Sequence, residues 1–222
     1  MDGSGDPIQV EIWSDLICPW CYLGKRRFEH ALARFPGRDQ VDVRWRSFEL
    51  EPRSPVEPVD LAAGLVTRFG MTADEAVERN RHMTELAAAD GLAYRLDIAR
   101  LGNTFDAHHI THLAEAEGLQ GAAVERLFAA YFCEGRAISD RATLVDIAGG
   151  LGLDRDDVAA ALASDLLAPE VRADEREASE LGIHAVPFFV VDRRYAIAGA
   201  QPQELFQQGL ERALADRQNA LT

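Results

Sequence analysis

The chain reads as an α/β fold in two separated halves, ordered β-α-β and then β-β-α, with a large all-helical subdomain inserted between them. Three observations lead there. Apolar residues alternate with polar ones at Ile8–Ile12 and again at Val41–Trp45, on either side of a stretch with helical spacing. A block of roughly 110–125 residues with an almost wholly helical pattern follows. Strand character then returns in Val186-Pro187-Phe188-Phe189-Val190-Val191. The expected division is 1–58 for the first half, 59–182 for the inserted helical subdomain and 183–222 for the second half.

Ile8, Val10 and Ile12 alternate with Gln9 and Glu11, which predicts a strand with one buried face. WSDLICPWCY follows, with Cys18 and Cys21 where the strand passes into a helix. That helix shows apolar spacing from Tyr22 to Leu32 and stops near Phe35-Pro36-Gly37. Val41, Val43 and Trp45 make a second strand. Glu51 to Pro58 holds Pro52, Pro55 and Pro58 and no periodicity, so it reads as a linker. Leu61–Phe69 is a helix, and Thr72 with Glu75 has the spacing of a capping box opening the next. Asn103-Thr104-Phe105-Asp106 opens another, to Gly118. Ala122–Cys133, Arg141–Leu151, Asp156–Ala163 and Pro169–Leu181 complete the block. After the strand from Val186, Asp192-Arg193-Arg194 reads as a turn and Tyr195–Gly199 as a hairpin partner. Pro202 suits the first residue of a last helix through Leu205, Phe206, Leu210 and Leu214.

With 222 residues and 47% hydrophobic content, the chain can bury a sizeable core. A formal charge of −14 with no basic stripe argues against a nucleic-acid partner and an anionic membrane surface, and favours solubility. MDGSGDPIQVEIW has no positive n-region and no long apolar run, and no stretch of about 18 apolar residues occurs. A cytoplasmic location is the expectation. Cys18, Cys21 and Cys133 are too few for a secreted disulfide scaffold.

The CxxC pair has three readings: metal ligands, a structural disulfide or a redox couple. A cysteine at or just before the first helical turn faces unpaired backbone N–H groups and the positive end of the helix dipole. Both favour thiolate, of which a free cysteine with a pKa of about 8.5 holds little at neutral pH. Cys18 is therefore expected as the exposed nucleophile, and Cys21, one turn on, as the shielded resolving thiol. Pro19 fits a first-turn position. Trp20 is expected to be partly exposed, with Trp13 and Trp20 flanking the thiols. A zinc site needs four ligands, and no second CxxC exists. His108 and His112 share a helix face, with His109 beside them and Glu115 following, but HHITH lacks the glutamate of HExxH. No metal is expected. Cys133 reads first as a small apolar packing residue and second as a further redox thiol. Pro187 belongs at the start of its strand. Were the Val186–Pro187 bond cis and opposite the CxxC, it would expose the Val186 backbone to substrate and present a non-ligating group to Cys18. A plain turn is the alternative. Asp15 reads first as a turn-ordering residue and second as a proton acceptor for Cys21.

WSDLICPWCYLGKRRFE, GIHAVPFFVVDRRYAIAGAQ and NTFDAHHITHLAEAEG together resemble the DsbA-family thioredoxin fold, in its cytoplasmic FrnE-like branch. That branch is similar to 2-hydroxychromene-2-carboxylate isomerases and kappa-class glutathione transferases. The resemblance covers nearly the whole chain, and AGAQP at Ala198–Pro202 helps select the branch. It implies a thioredoxin-like fold carrying the helical insertion, with Cys18 attacking, Cys21 resolving and Pro187 as the cis-proline. It places Pro19, Trp20, Val186, Asn103, Thr104 and His108 at the substrate side of the site. In the isomerase and transferase relatives a serine replaces the first cysteine and glutathione is bound; this chain keeps both cysteines.

The leading expectation is a thiol–disulfide oxidoreductase/isomerase acting on protein or small-molecule thiols and disulfides. The second is a glutathione-dependent isomerase or transferase on a small aromatic substrate, and the third a non-catalytic client-binding module. No resident cofactor is expected; glutathione would enter as redox partner or co-substrate. Neither nucleic acid nor membrane is an expected partner, and a homodimer stays open.

Overall fold

The computed structural model describes residues 6–220. Met1–Gly5, part of the stretch read for a leader, and the last two residues of the C-terminal half lie outside them. β1 (Ile8–Ser14) is the hub of a four-stranded sheet. It pairs in parallel with β2 (Val41–Ser47) and antiparallel with the strand Phe188–Val191, whose hairpin partner is Tyr195–Ala198. Ile12 sits between Trp45 on one side and Phe189 on the other. The strand nearest the C-terminus of the chain thus completes the sheet begun at its N-terminus.

The alternation along β1 decides what covers each face. Ile8, Val10 and Ile12 are fully buried together with Phe189 and Val191. The first helix, α1 (Pro19–Arg34), and the last, Gln203–Ala220, pack on this face. Phe28 and Phe206 from these helices meet Phe189 at ring-centroid distances of 5.6 and 4.6 Å. Each such side chain contributes roughly 2 kcal/mol of transfer free energy. On the other face Trp13 packs with Ala178, Ile183 and Val190. Glu11 and Arg46 lie on that face too. Arg46 pairs with Glu11 and, at 3.0 Å, with Asp174, whose carboxylate also accepts from the Ser47 N–H at 2.9 Å.

Within the inserted block, β3 (Val59–Asp60) leads into α2 (Leu61–Phe69), and α3 (Ala73–Ala89) follows. Thr72 and Glu75 form the capping box that their spacing predicts. Not all of the block is helical: β4 (Arg100–Leu101) pairs with β3 and closes an irregular stretch from Asp90 to Thr104. The linker prolines and the glycines at 91 and 102 leave only this two-residue ladder. Next come α4 (Phe105–Ala116), α5 (Gln120–Phe132), α6 (Arg141–Gly150), α7 (Arg155–Leu162) and α8 (Ala168–Glu180). α8 belongs with the sheet in space: it packs on β2, and its Asp174 carbonyl accepts the Trp13 indole N–H at 3.0 Å. β5 (Phe188–Val191), β6 (Tyr195–Ala198) and α9 (Gln203–Ala220) end the chain. Pro202 lies one residue before α9 rather than inside it. In the turn between β5 and β6, Asp192 and Arg193 both adopt positive φ, as a two-strand reversal with matching twist requires. No helix among the described residues is long and apolar enough to cross a membrane.

Candidate active site

β1 ends at Ser14, and Asp15-Leu16-Ile17 turns the chain into α1. Cys18 is the N-cap residue, extended at φ −84° and ψ 114°, and Pro19 opens the helix. The Cys21 N–H donates to the Cys18 carbonyl at 3.0 Å, so the two cysteines share one turn. Opposite them the Val186–Pro187 bond is cis. The Cys18 thiol donates to the Val186 carbonyl at 3.6 Å, joining residues 168 apart in sequence. A Cβ added to Gly24 would lie 2.9 Å from the Pro187 ring. Only a glycine lets α1 approach Pro187 this closely. The AGAQP run closes the arrangement: Gly199 N–H donates to Pro187 O at 2.8 Å, and Arg27 donates to Ala200 O at 2.7 Å.

Two expectations need correction. Cys18 is not an exposed nucleophile; only 4% of it meets solvent, because Val186 covers it, while Cys21 is fully buried. Both are free thiols. Trp13 does not flank the thiols, since the pleat turns it to the opposite face of the sheet under α8. Trp20 does stand at the site and is 43% exposed. Burial, with neighbouring Cys18, pushes the Cys21 thiol well up from its ordinary range.

Asp15 orders the turn into α1. Its backbone carbonyl accepts the Cys18 N–H at 3.0 Å, and its side chain accepts the Leu50 N–H at 2.7 Å. The same carboxyl is wholly buried, and burial raises it to about 7 despite those hydrogen bonds. A carboxyl half-ionised near neutrality therefore sits three residues from Cys18. Thr104 and His108 lie behind it. His108 places Nε2 3.9 Å from the Asp15 carboxylate, and burial lowers the imidazole to about 3, so the pair is no ion pair at neutral pH.

Thr104 and His108 are thus at the site but on its inner side. Thr104 and His108 are each 3% exposed and support Asp15 rather than face a substrate. Asn103 ties the loop after β2 to α4, donating to Glu49 and Pro52 O at 3.3 Å and accepting from Phe105 N at 2.9 Å. His112 joins a different network, 3.0 Å from Ser47 Oγ and 3.3 Å from Asp174. Among the described residues no group of three or more His, Cys, Asp or Glu is placed to hold a metal. Cys133 packs against the core, partly exposed.

Sequence reasoning missed Tyr94 and Glu49. Tyr94 lies in the irregular stretch, stacks on Phe132 and donates to the Pro19 carbonyl at 2.8 Å, anchoring the first turn of α1. Glu49 is buried beside the Asp15 turn and pairs with Arg172 at 2.6 Å. Nothing periodic marks either. A cleft of about 380 Å³ opens beside Pro19 and Trp20, with α2 and α3 forming its far wall.

A family model for the DSBA-like thioredoxin domain matches residues 9–211. The chain belongs to this family. Probable DsbA oxidoreductase SCO1869 from Streptomyces coelicolor is 45% identical and superposes with a TM-score of 0.89, over 94% of this chain and 90% of that one. YwbO of Bacillus subtilis is 28% identical over 95% of this chain and 98% of its own length. Two more distant solved structures share the fold. DsbM of Pseudomonas aeruginosa, a cytosolic disulfide reductase with GSH, is 22% identical with a TM-score of 0.65, over 93% and 99%. A 2-hydroxychromene-2-carboxylate isomerase is 18% identical with a TM-score of 0.66, over 96% and 98%.

Proposed function

We propose that this DsbA-family chain is a cytoplasmic dithiol–disulfide oxidoreductase. The observation that carries it is the pairing of a helix-N-cap cysteine and a buried second cysteine with one buried carboxyl raised to about 7. The Cys18 thiolate attacks one sulfur of a substrate disulfide, forming a mixed disulfide and expelling the other substrate sulfur as thiolate. Cys21, whose burial holds its proton, passes that proton to ionised Asp15. It then attacks the Cys18 sulfur and expels the second substrate thiolate. Cys18 and Cys21 end as a disulfide and the substrate has gained two electrons; glutathione or a dithiol restores the pair. Run backwards, the same steps oxidise a dithiol. Pro187 holds the Val186 backbone against Cys18, and Pro19 and Trp20 form the outer lip. Thiols carry the electrons, so the cycle needs no resident cofactor. Having both cysteines favours this cycle over a glutathione-dependent isomerisation.

The test is a trapping experiment. Cys21→Ser should accumulate a mixed disulfide through Cys18 with a disulfide peptide, visible by intact mass, while Cys18→Ser forms none. Equal turnover by both variants and the parent chain would sink the proposal.

A further inference from the structure

The protein carries 37 acidic residues against 23 lysines and arginines, so its mean field repels anions. The cleft beside Cys18 departs from that background. Its floor is apolar, built from Leu65, Met83, Leu96 and Phe132. Its mouth is ringed by Trp20, Leu50 and Phe69, which are 43%, 42% and 54% exposed. Such a cluster of exposed large apolar side chains marks an interaction site.

The charges at this mouth are Arg68, Arg79 and His82, with Glu51 as the one carboxylate in the lining. Arg68 and Arg79 have no ion-pair partner among the described residues. Elsewhere on α3 the opposite holds: Arg81, on the outer face, is held by Glu78 at 2.6 Å and by Glu85. Helix periodicity sorts them. Asn80 and Met83 turn inward to the cleft with Arg79 and His82 at its edges, while Glu78, Arg81 and Glu85 face away. Unpaired cations at the rim of an apolar cleft, on a strongly acidic protein, are complementary to an anion attached to an apolar group.

We infer that the cleft selects protein disulfides whose cysteine is flanked by a bulky apolar residue and an aspartate or glutamate. The inference rests on the dithiol reading of Cys18 and Cys21. With the substrate sulfur at Cys18, the flanking apolar side chain enters beside Trp20 and Phe69. The neighbouring carboxylate then meets Arg68 and Arg79. A volume of about 380 Å³ takes one or two large side chains, not a folded surface. Rim charges act mainly on association and on discrimination between partners, and salt screens them.

The test uses the reduced full-length protein and two disulfide peptides identical except that Phe-Cys is followed by Asp-Glu in one and Lys-Lys in the other. We expect kcat/KM for the acidic peptide to exceed that for the basic one by about tenfold at low ionic strength. The gap should close at several hundred millimolar salt. Arg68→Glu/Arg79→Glu should invert the preference. The salt series on the parent chain stands independently of how well that variant folds. Equal kcat/KM for the two peptides, or a preference that survives the charge reversal, overturns the inference. So does inhibition by a free aryl carboxylate with no discrimination between peptides, which assigns the cleft to a small molecule. Reduction of neither peptide, with no mixed disulfide in the trapping experiment, instead overturns the dithiol reading.

Discussion

Replacing Asp15 by Asn should make the protein more stable and a worse catalyst, and both effects have a pH signature. The folded carboxyl titrates at about 7 and an ordinary aspartate at 3.8. Between those values the folded protein binds the proton and the unfolded chain releases it, so stability falls as pH rises. At 1.36 kcal/mol per unit, the buried carboxylate costs roughly 4 kcal/mol at pH 8 and under 2 kcal/mol at pH 5. Asn keeps the shape and can still accept the Leu50 N–H, but it has no charge to desolvate. Urea titrations should therefore show Asp15→Asn ahead of the parent by a margin some 2–3 kcal/mol larger at pH 8 than at pH 5. Decay of the mixed disulfide, followed by stopped flow, should slow by about 100-fold at pH 8, because Cys21 has lost its base. In the parent that decay should rise through pH 7, as Asp15 ionises. A variant no more stable at pH 8, or with the same margin at both pH values, would refute the assignment of a buried, neutral-range acid.

Two further perturbations probe the frame around the thiols. Gly24→Ala gains in helix propensity but drives a Cβ to 2.9 Å from Pro187, so a net loss of about 1–2 kcal/mol and a roughly tenfold lower kcat are expected. A variant that melts higher and turns over normally would show that the close approach is dispensable. Asp174→Ala strips a partner from Arg46, the Ser47 N–H and His112 at once and should cost about 3–5 kcal/mol in urea titration at pH 7. Burial pushes Asp174 up, but His112, the Ser47 N–H and Arg46 outweigh it, so its folded value lies below 3.8. Its contribution is present above that pH and is lost as pH falls through the folded value, which should narrow the gap to the variant in acid.

Local patterning carried much of the architecture. Alternation marked β1 and β2, the spacing from Leu61 to Phe69 matched α2 residue for residue, and Thr72–Glu75 announced α3. The same alternation sets Trp13 on the opposite face from Ile12, so its place away from the thiols is legible in the sequence. What escaped depended on chain segments far apart. Cys18 is covered by Val186, and the burial of Asp15 is completed by Leu50 and Thr104. α8 shows an ordinary helical pattern, and its contacts with Trp13, Arg46 and Ser47 reveal that it lies on the sheet. Arg68 and Arg79 look in sequence like any solvated helix face. Their meaning comes from the apolar wall across from them.

The contact between Cys18 and Val186 also has a place in time. During synthesis Cys18 is made 168 residues before Val186. At about 5–20 residues per second, that interval is roughly 8–35 s. For that period the cysteine pair exists without Val186 over it and without Pro187 beside Gly24. A stalled or truncated chain that stops short of β5 lacks the Val186 carbonyl that accepts from the Cys18 thiol. The finished fold covers Cys18 with a segment made long after it.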